Sequence, residues 1–207
     1  MPFSDLYEFS QELDIKVRRK IIKEELIRLT GKNKIAMAVS GSLDPKICRG
    51  LYLSIKSEHI WAQQHGCDVV VISRQIRDTN YCWDRFVTVK EMMHIFDSEV
   101  EACDTGDKFD TLIGEFCSGA LPELSPQMTS EVKCFWRALS VLCPERKRLD
   151  FKTQVAAGKL NHYDVALKLR IPEQYVPQLL HERYDRILPI LLNDELVVKK
   201  SPAEAGP

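Results

Sequence analysis

The chain has 207 residues, 44% of them hydrophobic and 29% charged, with a formal net charge of −1 at pH 7. This is the composition of a globular domain, and a nearly neutral chain with dispersed basic residues does not indicate nucleic acid or a membrane as its main partner. No apolar run approaches the roughly 20 residues of a membrane span, and residues 1–12 lack the basic and apolar segments of a signal peptide, so neither is expected.

The cysteines bear on the compartment. There are seven, widely spaced and without a Cys-x-x-Cys pair. We therefore expect reduced thiols in a cytoplasmic protein, and no zinc site built on cysteine.

The N-terminal part predicts one helix followed by short strands. Residues 4–29 carry an apolar stripe at helical spacing, and Gly31 is expected to stop that helix. Strands are predicted at 35–39, 51–55 and 67–73, of which the last is rich in β-branched residues. A polar connector, 74–83, leads to the next helix.

A helix over residues 85–97 carries the main functional signal. Its apolar residues recur at three- and four-residue steps: Phe86, Val89, Met93 and Phe96. Lys90 and His94 are four apart and project from one face, with Glu91 beside them. With histidine at position 90 the motif would be His-Glu-x-x-His, in which two imidazoles hold zinc and the glutamate deprotonates a metal-bound water. The simpler interpretation is a solvated helix edge with an ordinary histidine.

The second half predicts further helices. Residues 98–108 are expected to form a solvated loop and 109–116 a helix. A strong helix over 130–143 would be capped by Thr129 or Ser130, would have Glu131 in its first turn, and would end before Pro144.

The C-terminal region outlines a helix-turn-helix. One short helix would begin at Asn161 or His162, and a second would run through residues 175–180. The second helix has the acidic start Pro172-Glu173-Gln174, which favours packing over DNA reading. Residues 199–207 are expected to be a disordered tail.

Over roughly residues 50–185, the order of these elements resembles the ImmA/IrrE family, zinc-metallopeptidase-like proteins of bacteria and their mobile elements. The resemblance rests on the strand at 67–73, the Arg-Phe-x-x-x-Lys-Glu-x-x-His helix, the Glu-headed helix ending in Leu-Cys-Pro, and the helical pair at 161–180. It implies an α+β, zincin-like fold, mostly helical with a small sheet and a C-terminal helical pair. The corresponding divisions are a metallopeptidase-related domain at 1–150, a helical subdomain at 151–198 and the tail at 199–207.

The resemblance also implies roles for individual residues. Glu91 would be the general base, His94 a zinc ligand and Glu131 the third ligand, while Lys90 takes the place of the first ligand. A protonated lysine has no lone pair and repels a cation. A depressed pKa would free its nitrogen as a ligand; the simpler expectation is that Lys90 pairs with Glu91 or Glu131 and stands in for the charge of the metal.

Two further residues remain as alternatives for the ligand set. Lys133 would fill the third-ligand place if the second helix were shifted by two residues, which would leave His94 alone. Asp97, one turn beyond His94, is a weaker ligand candidate.

Three functions follow from these residues. The favoured one is a regulatory pseudoenzyme without a complete zinc site and with no cofactor, which binds a protein partner. The alternative is an active zinc metalloendopeptidase that cleaves a repressor-type protein, with zinc held by His94, Glu131 and a further ligand. A DNA-binding regulator acting through residues 161–181 is the third hypothesis, in which nucleic acid is the less favoured partner.

Overall fold

The protein is α+β, with helices packed around a small sheet. This computed structural model describes residues 3–118 and 124–198. The helices are α1 (Phe3–Gln11), α2 (Arg19–Thr30), α3 (Ile60–His65), α4 (Arg74–Thr79), α5 (Tyr81–Met93), α6 (Gly106–Ser118), α7 (Pro126–Leu142), α8 (Glu145–Ala156), α9 (His162–Leu169), α10 (Val176–Leu180) and α11 (Glu182–Val198). Single 3-10 turns lie at His94–Phe96 and Glu173–Tyr175, and the strands are β1 (Ile35–Ser40), β2 (Gly50–Leu53) and β3 (Asp68–Ser73).

The sheet has the strand order β1-β3-β2, with β1 parallel and β2 antiparallel to the central strand. β3 is buried along its whole length. Val70 and Ile72 face the main core, whereas Val69 and Val71 pack in a smaller cluster with Trp61 of α3. This alternation follows from the two-residue period of a strand, and burial of both faces explains why β3 is continuously apolar.

The predicted single helix over residues 4–29 is wrong. The chain forms α1 and α2 with a break between them, and Lys16 in the break has a left-handed φ of 68°. The break places the carbonyl of Val17 where Arg85 of α5 donates to it. The stop at Gly31 is confirmed, since this residue adopts φ 64° at the C-terminus of α2.

Two further helix starts differ from the sequence prediction. Residues 74–83 are not a connector, because they contain α4 and the first turn of α5, which Asn80 caps. Helix α7 begins at Pro126, where the Ser125 hydroxyl accepts from the Met128 N–H. Serine at the cap with proline at the first helical position is a strong start signal, so Thr129 and Ser130 are not caps and Glu131 lies in the second turn.

The C-terminal helices share the main core with the rest of the chain. Val165, Leu179 and Tyr184 belong to the same buried cluster as Phe3 and Leu139. The domain boundary expected at residue 150 lies inside α8. The short helices α9 and α10 are where the sequence predicts them, with Asn161 as the cap. Helix α11 was not predicted, because Pro189 interrupts its pattern, and the tail at 199–207 lies outside the described residues.

Arg85 fixes the first half of α5. Its side chain is buried, and its guanidinium donates to the carbonyls of Val17, Leu169 and Arg170. Burial lowers the pKa of Arg85 to about 10. One side chain on α5 therefore satisfies backbone acceptors from two distant turns and holds them against the helix.

None of the helices in the described part of the chain combines the length and apolar character that crossing a bilayer needs.

Gly50 fixes the second half of α5 against strand β2. A Cβ atom at this residue would lie 2.7 Å from Val87 Cγ1, 2.9 Å from Glu91 Cγ and 3.1 Å from the carbonyl oxygen of Val71. These distances are too short for any side chain, so glycine allows the strand and the helix to touch at the position of Glu91.

We expect Gly50→Ala to lower the free energy of unfolding by about 1–3 kcal/mol, because the methyl group overpacks this contact. The control is Gly114→Ala in α6, where a Cβ meets nothing within 4 Å; it should raise helix stability by up to about 1 kcal/mol. Chemical denaturation measures both. Equal effects of the two substitutions would contradict the close approach at Gly50.

Candidate functional site

The predicted site residues meet on the floor of a wide cleft, where α5 and α7 face each other. Lys90 lies there with its side chain only 15% exposed. Its Nζ donates to Glu91 Oε1 at 3.1 Å and to Glu131 Oε2. The structure therefore pairs Lys90 with both acids that the sequence analysis offered as its partners.

His94 lies at the end of α5, with acidic groups near both of its ring nitrogens. Its Nε2 is 3.2 Å from Glu131 Oε1 and 3.7 Å from Glu91 Oε2. Its Nδ1 is 2.8 Å from Asp97 Oδ2, because the 3-10 turn after α5 brings Asp97 back to the ring. The Tyr52 ring of β2 stacks on the imidazole, with centroids 6.3 Å apart and the planes at 22°.

A serine and a cysteine of α7 complete the polar network on the Nδ1 side. Ser130 Oγ donates to Asp97 Oδ1 at 2.6 Å and lies 3.2 Å from His94 Nδ1. Cys134 Sγ is 3.9 Å from Asp97 Oδ1. The trio of serine, histidine and aspartate is not a nucleophilic triad, since serine and aspartate share one ring nitrogen and Ser130 is buried.

Lys90 and Glu131 each favour the charged form of the other. Burial acts to lower the pKa of Lys90, but the carboxylates of Glu131 and Glu91 outweigh it and raise this pKa above its ordinary value. Burial acts to raise the pKa of Glu131, but Lys90 and His94 outweigh it and depress this pKa. The Lys90 ammonium and the Glu131 carboxylate are thus both held in the charged form.

The pKa values of Glu91 and His94 are both raised. The pKa of Glu91 is raised by burial and by the charge of Glu131, against the effect of Lys90. Burial acts to lower the pKa of His94, but Cys134, Glu131 and Asp97 together raise it well above its ordinary value.

The alternative with Lys133 in the third-ligand place is wrong. Lys133 donates to Glu101 Oε1 at 2.8 Å, and Glu131 is the residue that faces Lys90 and His94. Asp97 contacts His94 from the Nδ1 side. Sequence reasoning missed Ser130 and Cys134 as members of the site; their spacing of four residues on one helix places them on one face, but nothing local indicates that the face meets His94.

Zinc, which the family resemblance implies, does not fit the position of Lys90. Of the residues that the resemblance assigns as ligands, His94 Nε2 and one oxygen of Glu131 face this position, whereas a catalytic zinc site takes three protein ligands and a water. The ammonium of Lys90, whose pKa is raised, offers no lone pair and lies against the carboxylates of both acids.

The cleft above these residues has a volume of about 1320 Å³. Strand β2 lines it together with side chains of α5, α6 and α7. Three large apolar residues of its lining are exposed to solvent: Ile47, Phe116 and Val132. The cleft is therefore wide enough for a polypeptide segment and partly apolar.

No family model, no curated protein and no solved structure matches the chain significantly.

Removing the ammonium should destabilise the fold. We expect Lys90→Met to lower the free energy of unfolding by about 3–5 kcal/mol at neutral pH, because two buried carboxylates lose their cation. The double variant Lys90→Met/Glu131→Gln should recover part of this loss. The control Lys20→Met breaks an exposed pair with Glu24 and should cost under about 1 kcal/mol. Denaturant unfolding tests this, and a Lys90→Met variant as stable as the Lys20→Met control would contradict it.

The depressed pKa of Glu131 predicts a pH dependence. A carboxylate whose folded pKa is depressed stabilises the protein above its unfolded pKa, near 4.5, and this contribution disappears as the pH falls towards the folded value. The wild type should therefore exceed Glu131→Gln in unfolding free energy at neutral pH, and the gap should narrow steadily as the pH falls from about 5 to about 3. Glu24→Gln, in the exposed pair with Lys20, is the control. A gap of constant size over this range would refute the assignment.

Proposed function

We propose that this chain is a metallopeptidase-like protein of the ImmA/IrrE type with a zincin-like fold, in which the Lys90 ammonium takes the place of the catalytic metal. It would act as a cytoplasmic regulator of bacterial or mobile-element origin that binds a segment of a partner protein in its cleft. The observation that carries this proposal is the buried Lys90 side chain between Glu91 and Glu131.

This arrangement opposes hydrolysis. A metallopeptidase needs a Lewis acid that polarises the carbonyl and lowers the pKa of a water, and a carboxylate that takes the proton of that water. Here Oε1 of Glu91 accepts from Lys90 Nζ, and the pKa of Glu91 is raised chiefly by burial. The residue in the place of the base is thus engaged by a permanent cation.

The edge of β2 that does not pair with β3 supports binding of an extended segment. Ser73 N donates to the carbonyl of Arg49, which makes these two residues a hydrogen-bonded antiparallel pair. The backbone groups of Gly50 and Tyr52 then point away from β3, and the Cys48 thiol donates to the Gly50 carbonyl from that side. Within the described residues no strand pairs with this edge, so an incoming strand can add to it beside the cleft.

An active zinc endopeptidase that cleaves a repressor-type protein is the second candidate. It is favoured by one observation, the convergence of His94 Nε2 and Glu131 Oε1 at 3.2 Å. DNA binding through the C-terminal helical pair has less support, because α10 has only five residues and the guanidinium of Arg170 lies over the Tyr81 ring. The thiols of the described cysteine side chains are free, in keeping with a reducing compartment.

Restoring the missing imidazole tests the proposal. We expect Lys90→His to create a zinc site with His94 and Glu131, which is lost again in Lys90→His/Glu131→Ala. The control Lys133→His places an imidazole on α7, where the native lysine pairs with Glu101 and not with Glu131, and it should create no site that depends on Glu131. Metal content of the purified variants is the measurement.

Two results would overturn the proposal. One is zinc in the wild type that disappears in Glu131→Ala but persists in Cys134→Ser. The other is hydrolysis of an unfolded test protein by the wild type that is abolished in Glu91→Gln.

A further inference from the structure

The Nδ1 side of His94 carries a second cluster of donor atoms, separate from Lys90. One donor atom from each of His94, Asp97 and Cys134 lies within 4.8 Å of the other two. Cys134 is fully buried, and the side chains of His94 and Asp97 are 11% and 5% exposed. The cluster joins the 3-10 turn after α5 to the middle of α7.

We propose that His94 Nδ1, the Asp97 carboxylate and Cys134 Sγ bind a divalent cation of the zinc class as a structural site. Nitrogen, carboxylate oxygen and thiolate are the donors that zinc takes in proteins, whereas calcium and magnesium take oxygen alone. The metal would lie on the opposite side of the imidazole from Lys90. The inference therefore does not require a metal at the position of Lys90.

The donor distances lie on either side of the spacing of a small tetrahedral ion, so binding would move His94 Nδ1 and the Asp97 carboxylate slightly apart. Bonds of about 2.0–2.3 Å hold the ligand atoms of a tetrahedral zinc about 3.3–3.7 Å apart. In the structure Nδ1 is 2.8 Å from Asp97 Oδ2, and Cys134 Sγ is 3.9 Å from Asp97 Oδ1. Ser130 Oγ, 3.8 Å from Cys134 Sγ and 3.2 Å from Nδ1, is placed as a neutral fourth oxygen.

The other ring nitrogen has the partner that such a site needs. A metal on Nδ1 leaves the proton on Nε2, and histidine ligands usually donate that proton to a carboxylate or carbonyl. Nε2 of His94 is buried without a well-aligned hydrogen bond among the described residues, and Glu131 Oε1 lies 3.2 Å from it. Glu131 would act here as a positioning residue.

The complete burial of Cys134 indicates a structural rather than a catalytic metal. His94 and Asp97 line the cleft but Cys134 does not, so the ion would lie behind the floor and away from a bound segment. Binding releases the proton of the Cys134 thiol and any proton on Nδ1 to solvent. The ion would hold the 3-10 turn, and with it the cleft residues Ser98 and Glu99, against α7.

Cobalt titration of the full chain, stripped with a chelator, tests the site, because thiolate ligation gives Co²⁺ a near-ultraviolet charge-transfer band. We expect one equivalent of Co²⁺ to produce the band in the wild type and Zn²⁺ to abolish it. The band should be absent in Cys134→Ser and present in the matched control Cys67→Ser, which alters a buried cysteine of the smaller cluster. In Glu131→Gln it should persist, with affinity lowered by about 10–100-fold.

Other outcomes overturn the inference. These are no band in the folded wild type, or a band that persists in Cys134→Ser. If Cys134→Ser fails to fold, Asp97→Asn carries the test: the Kd for Co²⁺ must rise at least about tenfold, and an unchanged Kd counts against the site. Metal that binds without the band and is lost in Glu131→Ala contradicts the proposed function as well, whereas a metal-free wild type contradicts only this inference.

Discussion

The contact on which the site depends is that of one ammonium with two buried carboxylates. Glu91 and Glu131 come from different helices, and both side chains are largely buried, so that their anions would be strongly disfavoured without a nearby cation. Lys90 supplies that cation from within α5, so the charge that stabilises the floor of the cleft is covalently part of the chain. In a metallopeptidase the same charge would arrive with an exchangeable ion. An ammonium group offers no open coordination position of the kind that hydrolysis by a metallopeptidase requires.

The geometry of this contact is imposed by the packing of α5 at both ends. Gly50 lets β2 approach the helix at Val87 and Glu91, which places the edge strand directly beside the acidic residue. Arg85, in the first half of the helix, donates hydrogen bonds to the carbonyl of Val17 and to that of Leu169 at the end of α9. A helix that is fixed in this way keeps the backbone of Lys90 beside the cleft, and the contacts of Nζ with Glu91 and Glu131 then hold the flexible side chain in one position.

The sequence predicts correctly those elements that are determined by residues close together in the chain. Strand β3 follows from its β-branched run, the end of α2 from Gly31, and the shared face of Lys90 and His94 from helical spacing. The break between α1 and α2 could not be predicted, because the carbonyl that it exposes at Val17 bonds to a residue 68 positions away. Helix α8 was missed for a related reason: Arg148, in its first turn, is buried and pairs with Asp185, a residue 37 positions away.

The imidazole of His94 connects the two halves of the site, since each ring nitrogen faces a different environment. Nε2 faces Glu131 in a region that already contains the Lys90 cation, so a metal ion approaching from that side meets repulsion. Nδ1 faces Asp97 and, beyond it, the Cys134 thiol, whose hydrogen-bond partners among the described residues are Asp97 and Ser130 rather than a permanent cation. A lysine at position 90 thus disfavours a metal on one nitrogen without adding charge to the contacts of the other. Since a histidine ligand uses one nitrogen and donates through the other, Glu131 can orient the ring for a metal on Nδ1 and Asp97 can orient it for a metal on Nε2, and the charge of Lys90 disfavours the second arrangement.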